Sequence, residues 1–210
     1  TEPNHTFTFV YDWRTDIDYT SDEDGYVRIP IEQGYSSLAQ AFSKADGIDS
    51  VDFRDSGITL TNPNSLWETF KGLTNLTDII GLNTIWGESS IRYFWGYTFQ
   101  GTGITSFTGV NPTLSNTLRF IQTFKDCKNL ETADLRSLYT GAVGRDRDAF
   151  GEVFEGCSAL TTVRIGYLRA NKYSIFHGCS SLTDLFIDKL DTTLYLNSDG
   201  VKRLSDASLV

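Results

Sequence analysis

Phe154-Glu-Gly-Cys-Ser-Ala-Leu160-Thr161 and Phe176-His-Gly-Cys-Ser-Ser-Leu182-Thr183 are two copies of one phrase. Four looser copies precede them: Phe42-Ser-Lys-Ala-Asp-Gly-Ile48, Phe70-Lys-Gly-Leu-Thr-Asn-Leu76, the shorter Phe99-Gln-Gly-Thr-Gly-Ile104 and Phe124-Lys-Asp-Cys-Lys-Asn-Leu130. The leading phenylalanines are separated by 28, 29, 25, 30 and 22 residues. A period in this range marks a solenoid, in which each unit buries its apolar face only against its neighbours.

After each corner the chain continues Leu-x-x-apolar-x-apolar, as in Leu160-Thr-Thr-Val163-Arg-Ile165 and Leu182-Thr-Asp-Leu185-Phe-Ile187. Alternation at period two predicts a short strand with one buried face, and parallel stacking of these strands predicts one ladder along the solenoid. Before the corner, Leu38, Leu66 and Phe150 stand four residues ahead of Phe42, Phe70 and Phe154, which is helical spacing. Ser37-Leu-Ala-Gln40 and Ser65-Leu-Trp-Glu68 also have the form of a capping box. Each coil therefore reads as a short helix, a tight corner and a strand: an α+β solenoid, an irregular leucine-rich repeat. The corner glycines Gly72, Gly101, Gly156 and Gly178 suit a positive φ.

Three regions follow from this pattern. Residues 1–36 lie outside the repeat, and the alternating Thr6–Tyr11 and Tyr26–Ile31 segments predict a β-hairpin that caps the open end. Residues 37–190 hold about six repeat units. Residues 191–210 read as a partial C-terminal cap, with a strand at Leu194–Leu196 and a helix starting at Ser205. A removed targeting segment ahead of Thr1 and a further C-terminal element are expected.

Composition narrows the function. A net charge of −9 opposes the phosphate-neutralising surface that nucleic acid requires, and equally a polybasic membrane patch. No apolar run approaches the roughly 20 residues that span a bilayer. Cys127, Cys157 and Cys179 each follow their own Phe by three residues, so they should stack as small buried thiols. No Gly-x-Ser-x-Gly, His-Glu-x-x-His, phosphate-loop or dinucleotide pattern occurs, and His5 and His177 are the only histidines. The reading is a non-enzyme without cofactor. The acidic run Asp16, Asp18, Asp22, Glu23 and Asp24 offers calcium oxygens but lacks the ordered loop, so a solvated hairpin loop is the simpler account. Arg145-Asp-Arg-Asp148 reads as a surface turn.

Two surfaces remain as binding candidates. The residue between the last two apolar positions of each strand must point outward, and down the units this stripe is Asp52, Ile80, Thr108, Asp134, Arg164 and Phe186. Asp134, Arg164 and Phe186 are the protein-binding candidates. Cover by further C-terminal chain is the alternative for the exposed Phe186. The second candidate is the run from Trp86 to Tyr97, whose rings Trp86, Tyr93 and Trp95 suit stacking on sugars if exposed, or core packing if not.

The phrase Phe-x-Gly-Cys-Ser-Ser-Leu-Thr followed by apolar-x-Ile resembles the BspA-like leucine-rich repeats of bacterial surface proteins. The likeness covers about Ser37 to Leu190, and is strongest in the last two units. Residues 166–172 depart from it, lacking the second apolar stretch that the family often carries. The resemblance implies a secreted or surface-anchored protein of the bacterial outer surface, often a lipoprotein anchored upstream. Such a protein binds extracellular or host proteins, or glycans. It brings no catalytic residues. A structural spacer without a ligand is the remaining reading.

Overall fold

The computed structural model describes residues 6–8, 38, 42, 47–54, 66–84, 95–109, 120–136, 150–169, 174–191, 196–197 and 200–201. Its strands are β1 (Thr6–Thr8), β2 (Ser50–Asp52), β3 (Asp78–Ile80), β4 (Ser106–Thr108), β5 (Thr132–Asp134), β6 (Thr162–Arg169), β7 (Asp184–Asp191), β8 (Leu196–Asn197) and β9 (Gly200–Val201). The strands β1-β2-β3 form one parallel sheet and β4-β5-β6-β7 another. Stacking of these strands makes the chain a β-solenoid. The expected Thr6–Tyr11 strand is present in part as β1, which pairs in parallel with β2; its expected hairpin partner at Tyr26–Ile31 lies outside the described residues. At the other end β8 and β9 pair antiparallel, and the helix expected from Ser205 again lies outside them.

The expected helices are the main correction. Leu66–Phe70, Trp95–Phe99 and the stretches before Phe124 and Phe154 are chains of overlapping turns; among the described residues the only helical element is a single 3-10 turn at Leu82–Thr84. The physical reason lies two residues before Phe70, Phe99, Phe124 and Phe154. Glu68, Tyr97, Gln122 and Glu152 have φ of 53°, 58°, 51° and 52°, a left-handed conformation that an α-helix excludes. Two residues after the Phe the left-handed region returns at Gly72, Gly101, Asp126, Gly156 and Gly178. Alternate N–H groups then leave their own coil. Glu68, Phe70 and Gly72 donate to the carbonyls of Gly96, Thr98 and Gln100 in the next coil, at 3.1, 2.9 and 2.7 Å. An α-helix would satisfy these donors internally and leave nothing to join the coils. The i, i+4 spacing still places both apolar residues inside, which is why it imitates a helix.

The core is a set of columns. Phe42, Phe70, Phe99, Phe124, Phe154 and Phe176 stack in sequence with ring centroids 5.1, 5.6, 5.4, 5.4 and 5.6 Å apart. Beside this spine run Leu38, Leu66, Trp95, Phe120 and Phe150, all buried. The strands add Val51, Phe107, Ala133 and Val163 from the opposite wall. Rings this close to the strand spacing gain stacking as well as burial.

Polar side chains inside the stack serve carbonyls of the preceding coil. Thr69, Thr98 and Thr123 donate their hydroxyls to Leu38, Leu66 and Trp95 at 3.0, 2.7 and 2.7 Å. The cysteines do likewise. Cys127, Cys157 and Cys179 donate to the carbonyls of Phe99, Phe124 and Phe154 at 2.9, 2.9 and 3.0 Å. The thiols are thus free, stacked and structural, as their spacing predicts. Burial pushes Cys127 and Cys179 up to about 11 and Cys157 higher still. A thiol reagent at pH 7.5 should therefore leave native protein almost unlabelled, because the thiolate is the nucleophile. With added denaturant all three should react, and Cys179, half-buried at the end of the column, should be modified first in mass spectra. Rapid labelling of Cys157 in native protein would contradict the stacking.

The ladder is not continuous, against expectation. Its turn side runs unbroken from Glu68 to Gly156, but on the strand side β3 and β4 exchange no hydrogen bond, and most of their Cα separations exceed 8 Å. The third unit explains the break. Its corner reaches Ile104 five residues after Phe99, where the second unit takes six from Phe70 to Leu76. The shortened corner presses Gly103 against the second coil, so that a Cβ there would lie 2.3 Å from the Thr74 carbonyl oxygen. After Ile80 the chain also turns away, through Gly81 at φ 71° and the 3-10 turn.

Candidate functional site

Parallel pairing sets the outward stripe. Asp52 is in register with Ile80, and Thr108, Asp134, Arg164 and Phe186 are in register one after another across β4–β7. Asp134, Arg164 and Phe186 therefore lie side by side on consecutive strands, as their repeat positions predict. The inward neighbours Ala133 and Val163 are buried, which fixes the outward aim of Asp134 and Arg164; on the last strand of this sheet Leu185, beside Phe186, is itself 39% exposed.

Asp134 is held by its own strand. The Arg136 amide and Nε donate to Oδ1 at 3.1 and 3.0 Å, and Nη2 donates to Oδ2 at 2.6 Å. This fork holds the Asp134 carboxyl below the usual carboxylate range. Asp52 and Arg54 repeat the clip on β2, with the same effect on Asp52. An Asp-x-Arg clip thus closes the strand in two coils, and it makes Asp134 a support for the surface, already neutralised by Arg136.

Arg164 is different. Its guanidinium lies 4.5 Å from the centroid of the Phe186 ring, and among the described residues it forms no ion pair. Phe186 is 45% exposed, the most exposed of the large apolar side chains described. Three residues further along the same two strands, the Lys189 ammonium lies 5.4 Å from the Tyr167 ring centroid, and these two residues are also in register. Two cation–aromatic pairs thus bridge β6 and β7 in an acidic protein. Each is worth about 0.5–1 kcal/mol at an exposed site. The Arg164 pair has a greater consequence: its guanidinium keeps donors that no described side chain uses.

The aromatic run is only partly placed. Trp95 is fully buried, stacked on Phe120 at 5.6 Å and edge-on to Phe107 at 6.0 Å, so it offers no ring to a sugar. Of the two readings for Trp95, sugar stacking or core packing, the core holds and the sugar-binding role falls: it occupies the column four residues before a spine Phe, which points inward in every coil described. Trp86 and Tyr93 lie outside the described residues, as does the acidic run from Asp16 to Asp24. His177 is exposed at the variable corner position. Among the described residues no group of three His, Cys, Asp or Glu side chains is placed to hold a metal ion, and no helix is long and apolar enough to cross a membrane.

The outward parity of single strands did not reveal Arg136, Tyr167 or Lys189. The signal that could have found Arg136 is the repeated Asp-x-Arg at 52–54 and 134–136. Lys189 and Tyr167 follow only once β6 and β7 are known to run for eight residues, past the point where β5 ends. No protein-family model, curated protein or solved structure matches this chain.

Proposed function

We propose that this is a non-catalytic, cell-surface binding protein that docks an extracellular protein through the outward face of β4–β7. The observation that carries the reading is the Arg164–Phe186 pair: a planar cation laid on an exposed ring, with its donors unspent. Arg and aromatic side chains dominate interface energetics when both are buried against a partner. The guanidinium selects a carboxylate-bearing partner, and Phe186 a small apolar depression beside it. The placement outside the cell rests on the resemblance of the repeat phrase to bacterial surface proteins.

The test is binding of purified protein to an array of extracellular-matrix proteins and glycans, beside the double variant Arg164→Ala, Phe186→Ala. A protein hit that weakens about 100-fold or more in the variant supports docking through this face, since two interface anchors are lost together. A glycan hit that survives the substitutions moves function to Trp86 and Tyr93. Silence across the array leaves a structural spacer.

A further inference from the structure

At the break in the ladder the strand side opens into a gap between β3 and β4. Neighbouring strands lie about 4.8 Å apart, so two strands with one missing between them stand roughly 9.6 Å apart. Most Cα separations between β3 and β4 exceed 8 Å, well beyond the spacing of paired strands. The gap encloses about 270 Å³ and is lined by Asp78, Ile79, Leu82, Ile104, Ser106 and Phe107 among others.

Both walls are strand edges aimed at each other. Asp78 N–H and Ile80 C=O bond toward β2, so by alternation Ile79 turns its N–H and C=O to the gap. Thr105 C=O and Gly109 N–H bond toward β5, so Ser106 and Thr108 turn theirs to the gap from the other side. Neither set of edge groups has a partner among the described residues. Ile79 is only half-buried, where its column mates Val51, Ala133 and Val163 are closed over, and Ile80 is 37% exposed. The outer rim carries Asp78 on one side and the hydroxyls of Ser106 and Thr108 on the other. Asp78 forms no ion pair among the described residues, in a chain of net charge −9.

We propose that this gap receives an extended segment of a partner protein, which inserts as a parallel strand between β3 and β4 and joins the two sheets. The residue seated between Ile79 and Phe107 points inward and is apolar; its N–H donates to the Ser106 carbonyl and its C=O accepts from the Thr108 N–H. The residue before it points outward beside Asp78 and is basic. The residue after it is β-branched, lies between Ile80 and Thr108, and donates its N–H to the Ile79 carbonyl. The recognised segment is thus basic–apolar–β-branched, read by main-chain bonds with specificity from alternate side chains. This site is separate from the Arg164–Phe186 face and stands without it.

The probe is a fluorescein-labelled peptide Gly-Ser-Lys-Val-Thr-Gly-Ser, titrated with the whole chain and followed by anisotropy. N-methylation of its valine, which removes one N–H and keeps the side chain, should weaken binding about tenfold or more. Asp78→Lys should weaken the lysine peptide and favour the same peptide with glutamate in its place. Arg164→Ala with Phe186→Ala should change neither affinity. In the free protein the amides of Ile79, Ser106 and Thr108 should exchange with solvent as fast as open edge strands do, and slow once peptide is bound. No peptide binding, equal binding of the N-methylated peptide, or indifference to Asp78→Lys overturns the proposal. So does protection of these amides in the free protein, which would mean that the chain itself or a second copy fills the gap.

Discussion

Replacing Phe99 by alanine is expected to destabilise the protein by about 3–5 kcal/mol, the range for deleting a fully buried aromatic ring. Phe99 stacks between Phe70 and Phe124 at 5.6 and 5.4 Å, and it also meets Trp95 and Phe107 at 6.1 and 5.5 Å. Phe99 thus touches both the column ahead of it, through Trp95, and the strand wall, through Phe107. In a solenoid each coil is held only by its two neighbours, so a hole at the centre uncouples the units on either side. For a chain of this size the melting temperature should fall by roughly 10 °C. Phe186→Ala, on the exposed face, should fall within about 0.5 kcal/mol of the parent. A Phe99→Ala protein that melts beside the parent would remove the spine from the account.

Gly103→Ala should be nearly as damaging, by a different route. Its Cβ would lie 2.3 Å from the Thr74 carbonyl oxygen and 3.2 Å from that of Leu76, both backbone atoms, so the second and third coils would have to part. Overpacking of this kind costs about 1–3 kcal/mol, and the upper end is expected where the obstacle is main chain. Gly72 provides the comparison. It has a φ of 81° and open space where a Cβ would go, so alanine there meets only the left-handed penalty of about 1–2 kcal/mol. Urea midpoints of the two variants should therefore rank Gly103→Ala below Gly72→Ala. The reverse order would show that the shortened corner is not pressed against its neighbour, and the stated cause of the ladder break would fail with it.

Much of the outward strand face was legible in the sequence because a strand has an exact period of two. Once Val163 and Ile165 were read as inward, Arg164 had to point out, and equal offsets from each Phe put Asp134, Arg164 and Phe186 in register. The cysteine column was readable for the same reason. The turns were not, because Leu66 and Phe70 face inward at a spacing of four whether the backbone is helical or alternates through left-handed Glu68. Side-chain spacing reports which face is buried; it does not report where the N–H groups go. The gap was hidden as well, since one residue fewer between Phe99 and Ile104 looks like a minor variant of the phrase until Gly103 is seen against Thr74. Trp95 shows the opposite lesson: its offset of four before Phe99 already marked it as core, and that offset outweighs the crowding of rings around it.

Both proposed surfaces depend on one coil of chain per phrase, stacked in parallel. The most direct test is a nuclear Overhauser map of the isotope-labelled protein. Cross-peaks should link Ala133 to Val163 and Val163 to Leu185 across strands, and the rings of Phe124, Phe154 and Phe176 should contact one another in order. Helical cross-peaks between residues three apart along Leu66–Phe70 and Phe150–Phe154, with no strand-to-strand peaks, would contradict the solenoid and both surfaces built on it.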